Sequence, residues 1–395
     1  MEIEQQVSRQ STHLSHLHCS VCDKQYPPDR VNTFASCDRC AKNVLLCRYD
    51  GLEDLTPAQI IRQDRSMWRY FPWLPVFDRA NVVSLGEGFT PVIMMDKLAG
   101  PLGLDRLSLK DESLNPTGSF KARGMSMAIS KAKELGIHRC IVPTAGNAGG
   151  AMSAYCARAG MEAIVVMPRH TPHAFKEECE KFGATLILED GLISDCARRV
   201  AEMNRDGVYF DVSTLKEPYR LEGKKTLGYE IAEQFGWELP DVILYPTGGG
   251  TGLIGMWKAF KEMIAMGWIA DKLPRMYCVQ AENCQPILET WFGRQQNAQH
   301  YSGKATVASG LAVPNPMGEA LIIRVMRESG GWPVSVSENE ILSASNEIAR
   351  QEGLLIAPEG GALLAALKHL VHNGSVQGSE QILLLNTGSG YKYLD

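Results

Sequence analysis

The sequence predicts an α/β protein of two interleaved lobes, each a mostly parallel sheet flanked by helices, with a small cysteine ribbon near its N-terminus. Three observations carry that expectation. Near-continuous apolar runs of strand length recur at 140–144, 163–167, 184–188, 242–245, 276–280 and 382–385, as strands covered on both faces do. Helical periodicity separates them at 151–159, 173–182, 194–204, 225–234 and 253–263, supplying the crossovers that parallel strands need. The third is Cys19-x-x-Cys22 followed by Cys37-x-x-Cys40, in a turn-rich stretch too short to bury a core of its own.

At 395 residues, 45% hydrophobic and 22% charged, the chain is long enough for two lobes and small additions. A net charge of -5 from 40 basic and 45 acidic residues offers neither a footprint for nucleic acid nor a polybasic membrane patch. Small-molecule chemistry is the expectation. The first twenty residues are polar and no apolar run reaches spanning length, so a cytoplasmic location is expected. Cysteines are odd in number, eleven, and those beyond the ribbon (Cys140, Cys156, Cys278) lie in apolar segments, reading as reduced core thiols.

In chain order, residues 1–16 lack periodicity and are expected to be a mobile tail. Residues 17–50 form the ribbon, where thiolates from Cys19, Cys22, Cys37 and Cys40 suit a closed tetrahedral zinc site of structural type; a ribbon that has lost its metal is the alternative. Residues 68–76, WRYFPWLPV, are aromatic and proline-broken and read as a packed arm. The remainder, within 51–395, is the expected catalytic region.

That region centres on 108–125, SLKDESLNPTGSFKARGM. Pro116, Thr117 and Gly118 make a turn and Ser119 is a suitable N-cap, which puts Lys121 in the first turn of a helix running through Met125 and Ile129. The positive end of a helix favours the neutral amine that a Schiff-base nucleophile requires, against the ordinary reading of a solvated lysine. A second stretch, PTAGNAGG at 143–150, passes from strand through a small-residue turn into a helix. There the N–H groups of Thr144, Ala145, Gly146, Asn147 and Ala148 are expected to converge on an anion such as a substrate carboxylate, with the Asn147 side chain either binding or capping.

The third stretch, TGGGTG at 247–252, again lies between strand and helix. It reads as a phosphate cradle made by Gly248, Gly249, Gly250, Thr251 and Gly252, without the ending of a nucleoside-triphosphate loop. Gly250-x-Gly252-x-x-Gly255 also fits a dinucleotide fingerprint, with Glu282 where a ribose-binding acid belongs, so a nicotinamide-dependent oxidoreductase stays open. One cofactor employs all three stretches. Pyridoxal 5'-phosphate offers an aldehyde to Lys121, a phosphate to the glycine loop and a phenolic oxygen to Asn147. A hydroxyl from Thr387 or Ser389, after the last strand, is placed for its ring nitrogen.

NPTGSFKARGM, PTAGNAGGAMSAYCARAG, PYRLEGKKTLGYEIAEQ, PTGGGTGL and LLNTGSGYKY, in this order, together with SLGEGFTP and MWRYFPWLPV upstream, resemble the threonine synthases, pyridoxal-phosphate enzymes of the tryptophan-synthase-β type. The resemblance implies that fold, a homodimer, and a lyase of threonine biosynthesis turning O-phospho-L-homoserine and water into L-threonine and phosphate. It implies that Lys121 forms the internal aldimine, Asn147 contacts the phenolic oxygen, Gly248 to Thr251 hold the cofactor phosphate and Thr387 faces the ring nitrogen. Thr214 and Arg220 are then candidates for the substrate phosphate. The chain departs from the family at Ala122, where an aspartate is usual, and at Leu215 and Glu217, where polar uncharged groups stand. These departures keep other elimination or replacement chemistry open: a serine or threonine dehydratase, an ammonia-lyase, or a cysteate-synthase-like enzyme.

Overall fold

The computed structural model describes residues 12–29, 37–40, 44–298 and 301–394. The ribbon is a three-stranded antiparallel sheet of β1 (Leu14–Cys19), β2 (Gln25–Tyr26) and β3 (Leu45–Tyr49), in the order β2-β1-β3. Of the expected tail at 1–16, residues 1–11 lie outside the described residues, and its end is corrected. Leu14 and His16 already pair with Tyr49 and Arg48. Leu14 and Leu17 are buried, but the histidines between and beside them hide the strand pattern in the sequence. The aromatic arm is a kinked 3-10 helix, Met67–Trp73, with all seven residues buried.

The chain continues through β4 (Val92–Met94), β5 (Arg106–Asp111), α1 (Lys121–Glu134), β6 (Arg139–Pro143), α2 (Asn147–Ala159), β7 (Glu162–Pro168), α3 (His173–Lys181), β8 (Thr185–Glu189), α4 (Ile193–Met203), β9 (Phe210–Asp211) and α5 (Tyr219–Gln234). It ends through β10 (Val242–Pro246), α6 (Thr251–Ala265), β11 (Arg275–Ala281), α7 (Glu319–Ser329), β12 (Pro333–Val336), α8 (Glu338–Glu352), α9 (Pro358–His372) and β13 (Gln381–Asn386). Two compact units share these elements. One comprises Met1–Phe89, Lys121–Tyr229 and Lys261–Trp268, the other Thr90–Phe120, Glu230–Phe260 and Ile269–Asp395.

The first unit carries a parallel four-stranded sheet, β8-β7-β6-β9. Ile141, Ile164 and Val166 of that sheet pack with Cys196 and Val200 of α4 in one buried cluster. The second unit carries a six-stranded sheet, β12-β11-β10-β13-β5-β4, parallel except for the edge strand β4. Strands at 242–245 and 382–385 are neighbours here, with Val242 opposite Ile382, and their apolar faces enter one large core with α8 and α9.

Every strand read from the sequence is present; four are extended by one or two residues, and those at 140–144 and 184–188 keep their length but shift by one, to Arg139–Pro143 and Thr185–Glu189. β5 escaped that reading because its run, RLSLKD, is interrupted by Lys110. Lys110 is nonetheless fully buried, its Nζ donating to the Thr90 carbonyl (2.6 Å), Glu230 Oε2 (3.0 Å) and Gln234 Oε1 (2.8 Å). A buried ammonium with three acceptors is compatible with a central strand, yet it breaks the apolar pattern by which one is recognised.

In the first unit, α1 and α5 cross at two glycines. A Cβ on Gly223 would lie 2.1 Å from the Arg123 carbonyl oxygen, and one on Gly124 3.2 Å from that of Arg220. Arg123, fully buried, adds a bond from Nη1 to Thr226 Oγ1 at 3.0 Å. Backbone on both sides leaves nothing flexible to yield, so Gly223→Ala should separate the helices and lower stability by about 3 kcal/mol or more. Thermal melts of the variant beside the wild type check this, and a fall of less than ~0.5 kcal/mol would show that the crossing is more compliant than its contacts imply.

Candidate active site

Three adjacent parallel strands of the second unit, β10, β13 and β5, deliver their C-terminal loops to one edge of the sheet. That edge is where open α/β sheets bind ligands. β10 is followed by the glycine loop, in which Gly250 has φ +73 and accepts at its carbonyl from the Ile254 N–H (3.0 Å), opening α6. Gly248 and Gly252 are required for space as well. A Cβ would lie 2.2 Å from the Gly310 carbonyl oxygen in the first case and 2.2 Å from Tyr245 Oη in the second. Gly310 is itself fixed, its N–H donating to Glu359 Oε1 at 2.6 Å. The amides of Gly248 to Gly252 thus stand at the N-terminus of a 15-residue helix, a cradle for a phosphate.

β13 ends at Asn386, whose Nδ2 donates to Asp111 Oδ1 across the sheet (2.8 Å). Thr387 follows, 8% exposed, its hydroxyl without a protein partner among the described residues. Ser389, the other hydroxyl considered from the sequence, accepts the Tyr391 N–H at 3.3 Å and keeps its own proton to donate. β5 is followed by the turn of 115–118, held by the buried carboxylate of Glu112. That carboxylate accepts from Thr90 Oγ1 (2.5 Å) and from Asn115 Nδ2 (2.8 Å).

The expectation that Ser119 caps α1 is corrected. Ser119 is extended and bridges to Gly388, while the Phe120 N–H donates to the Thr387 carbonyl at 3.0 Å. Ser119 and Phe120 form a short strand-like pairing instead of a cap, and α1 begins on the next residue, Lys121. The lysine is therefore the first helical residue, one peptide bond beyond the Thr387 contact.

In the first unit, β6 ends in the turn carrying Thr144 to Ala148. The Thr144 N–H is not offered to a ligand as expected; it is engaged by the Val166 carbonyl in the sheet (3.0 Å). Gly146 N–H turns back to Thr144 Oγ1 at 3.2 Å. Gly146 with φ -179 occupies the cap position of α2, so Asn147 is the first residue inside the helix and not its N-cap. Its side chain is half-buried beside Ala145 and Ala148, which remain the candidates for a carboxylate.

β9 lies next to β6 with Ile141 opposite Asp211, so the loop 212–218 leaves the same edge of that sheet. Leu215 in this loop has φ +62, in the left-handed region. Glu217 points neither to solvent nor outward into the loop; it is 1% exposed and folds back on the start of α5. Its carboxylate accepts the N–H groups of Tyr219 (2.6 Å) and Arg220 (3.0 Å). Burial pushes the Glu217 carboxyl up to about 7, the Arg220 charge and the two amides opposing that rise. Arg220 is 4% exposed and donates through Nη1 to the Val212 carbonyl. Lys225, fully buried, is held by the Trp73 carbonyl (2.7 Å), Glu222 (2.7 Å) and Glu262 (3.0 Å). Of the two candidates for a substrate phosphate, Thr214 is half-buried in the loop and Arg220 is buried with its guanidinium on the Val212 carbonyl, while the nearby charge of Lys225 is sealed in the core.

Sequence reasoning missed Glu112, Glu359 and Gly310. Glu112 lies within the 108–125 stretch and Glu359 and Gly310 lie outside the recognised motifs, but all three support a loop without any periodic signal. In the ribbon, the Sγ atoms of Cys19, Cys22, Cys37 and Cys40 lie within 4.8 Å of one another, and none of the eleven cysteines forms a disulfide. Although burial raises the Cys37 thiol, the Tyr26 hydroxyl and the amides of Cys40 and Arg39 bring it down to about 6, toward the thiolate a metal requires.

Residues 83–388 match the family model described as "Pyridoxal-phosphate dependent enzyme". The chain is 32% identical over 376 residues to the threonine synthase of Methanocaldococcus jannaschii, covering 95% of this chain and 92% of that protein. It is 35% identical over 325 residues to the threonine synthase of Synechocystis sp., covering 82% of each. Among solved structures, maize serine racemase superposes with a TM-score of 0.66 at 20% identity, over 78% of this chain and 88% of that one. A threonine deaminase from Solanum lycopersicum does so with a TM-score of 0.64 at 20% identity, over 76% and 79%.

The buried Glu217 has a measurable signature. Its folded carboxyl titrates near 7 against an ordinary 4.5, so the folded state holds a proton that the unfolded chain releases. The contribution of Glu217 to stability is therefore greatest below about pH 4.5, falls as pH rises toward about 7, and is level above it. Glu217→Gln, neutral throughout, should gain on the wild type by up to roughly 3 kcal/mol between pH 5 and pH 8. Melting curves across that range test it, and parallel pH profiles would show that the carboxyl is not perturbed.

Proposed function

Since the chain belongs to the threonine synthases, within the pyridoxal-phosphate-dependent enzymes, we propose that it converts O-phospho-L-homoserine and water to L-threonine and phosphate, with Lys121 as the catalytic residue. The observation that carries this reading is the three-loop edge of the second unit, whose Phe120–Thr387 bond presents the very next residue, Lys121. The residues fit the cofactor. The glycine loop offers backbone amides at the start of α6 and is packed so closely behind that a Cβ would strike Gly310, Ile322 or Tyr245, and Thr387 keeps an uncommitted hydroxyl.

Bound pyridoxal phosphate supplies an electron sink for negative charge at the substrate Cα. Gly248, Gly249, Gly250, Thr251 and Gly252 bind the cofactor phosphate through backbone amides at the positive end of α6. Asn147 hydrogen-bonds the phenolic oxygen. Thr387 meets the ring nitrogen with a neutral hydroxyl, which does not force its protonation as a carboxylate would, and so favours elimination and replacement over transamination. Lys121 would hold the cofactor through its amine and would be the group to take and return protons at the substrate Cα and Cβ. Ala145, Asn147 and Ala148 receive the substrate carboxylate, and Thr214 the distal group.

Glu217 and Leu215 favour a second reading on the same cofactor. A carboxylate already occupying the first amides of α5 offers nothing to a phosphate dianion, so a smaller uncharged leaving group, as in serine or threonine, is the alternative substrate feature. We further read the four thiolates as a structural zinc site, residues 17–50 as its module and 51–395 as the catalytic region, in a cytoplasmic homodimer. Among the described residues no helix is long and apolar enough to cross a membrane.

Incubation with O-phosphohomoserine should release phosphate and threonine in equal amounts; 2-oxobutyrate without phosphate from threonine would establish the dehydratase alternative. Borohydride treatment of the yellow protein should fix the cofactor to the peptide containing Lys121, and label on any other lysine overturns the assignment. Metal analysis of protein prepared without chelator should find about one zinc per chain, falling on Cys37→Ser with cofactor content unchanged.

A further inference from the structure

Glu87, from the SLGEGFTP segment, belongs to none of the loops above, yet it is 0% exposed. Its Oε1 accepts from Trp68 Nε1 (2.9 Å) and Ser126 Oγ (2.5 Å), and its Oε2 from Tyr155 Oη (2.5 Å) and the Leu85 N–H (2.9 Å). Four donor groups surround the carboxylate, with the one Ser126 hydroxyl proton closer to Glu87 than to its other acceptor, the Val83 carbonyl (2.8 Å). The donors come from separate elements of the first unit: Trp68 from the aromatic arm, Ser126 from α1, which begins at Lys121, and Tyr155 from α2, which begins at Asn147. The same strap adds a bond from the Val83 N–H to Ser130 Oγ (2.8 Å), one turn along the same face of α1.

We propose that Glu87 is a positioning residue for the reaction, fixing the rotation and axial register of α1 against α2 and thereby the directions of Lys121 and Asn147. Ser126 lies five residues beyond Lys121, about 7.5 Å along the axis and roughly 140° around it. Glu87 therefore grips α1 on a face turned away from the lysine. Apolar packing of two helices tolerates small slides and rotations, whereas directional bonds from both helices to one carboxylate do not. A desolvated carboxylate costs several kcal/mol unless it is fully bonded, which makes it a poor choice for stability alone and an effective one for orientation. The opposite side of α1 is fixed by its glycine crossing with α5, so loss of the Glu87 grip leaves a helix that stays folded and turns.

The inference rests on Lys121 being the cofactor lysine, and its test reads the two separately. Holoenzyme carrying Ser126→Ala, Tyr155→Phe, both together, or Glu87→Gln is compared with the wild type for melting temperature, for the visible absorbance of the bound cofactor against pH, and for kcat and KM per cofactor-bearing site. Ser126→Ala and Tyr155→Phe each remove one donor and keep the core filled, so they serve if Glu87→Gln fails to fold. Each should lower kcat about three- to tenfold with KM within twofold, and shift the midpoint of the absorbance titration. The double variant should lose less than the product of the single losses, because both act through Glu87. A lower melting temperature with unchanged kcat and an unchanged absorbance titration would overturn the proposal and leave Glu87 a stabilising group. If the wild type does not turn over O-phosphohomoserine, the proposed reaction fails, while the absorbance titration still decides the role of Glu87.

Discussion

The hydrogen bond from the Phe120 N–H to the Thr387 carbonyl is the contact on which the arrangement depends. It joins the turn after β5 to the end of β13, two strands already paired from Arg106 with Gln381 to Asp111 with Asn386. The bridge between Ser119 and Gly388 and the bond from Lys392 Nζ to the Thr117 carbonyl (2.7 Å) prevent that turn from lifting away. Phe120 also lays its ring edge-on against Tyr245, whose hydroxyl abuts Gly252 of the phosphate loop. Lys121, proposed above as the cofactor lysine, follows directly on the residue that makes this main-chain contact. Main-chain bonds suit the task, since they leave no side-chain torsion to vary.

Buried charge is the second theme. α5 is enclosed along most of its length, yet it carries Glu222, Lys225 and Glu230, which are fully buried. Lys225 lies between Glu222 and Glu262, while Tyr49 at the end of β3 donates to Glu222 Oε2 at 2.8 Å. Tyr219 Oη reaches the Pro28 carbonyl at 3.3 Å. The cysteine ribbon is thereby docked on the helix whose first amides Glu217 occupies. Ion pairs of this kind add little net stability over apolar residues of the same volume, but they permit one seating and penalise others. Glu112, Glu87 and Glu217 follow the same logic at three turns, each carboxylate exchanging its hydration for a fixed set of donors.

The sequence by itself determined the fold class, the order of the strands along the chain, the three loops between strand and helix and the cysteine knuckles. Apolar runs, glycines between strand and helix, and paired thiols are local signals, written within a few residues of where they act. Tertiary structure alone decided that Ser119 pairs with Gly388 instead of capping, that the Thr144 amide belongs to the sheet, that Asn147 is inside its helix, and that Lys225 is sealed in a core. It alone showed that Lys110 sits in a central strand and that Glu217 turns back onto α5. For Ser119, Thr144, Lys225 and Lys110 the outcome is fixed by a partner from 22 to 269 residues away, and Glu217 accepts backbone N–H groups two and three residues on. A hydrogen-bond donor or a charge has many acceptable partners in a linear sequence; burial removes water as one of them, and the fold then decides which remains.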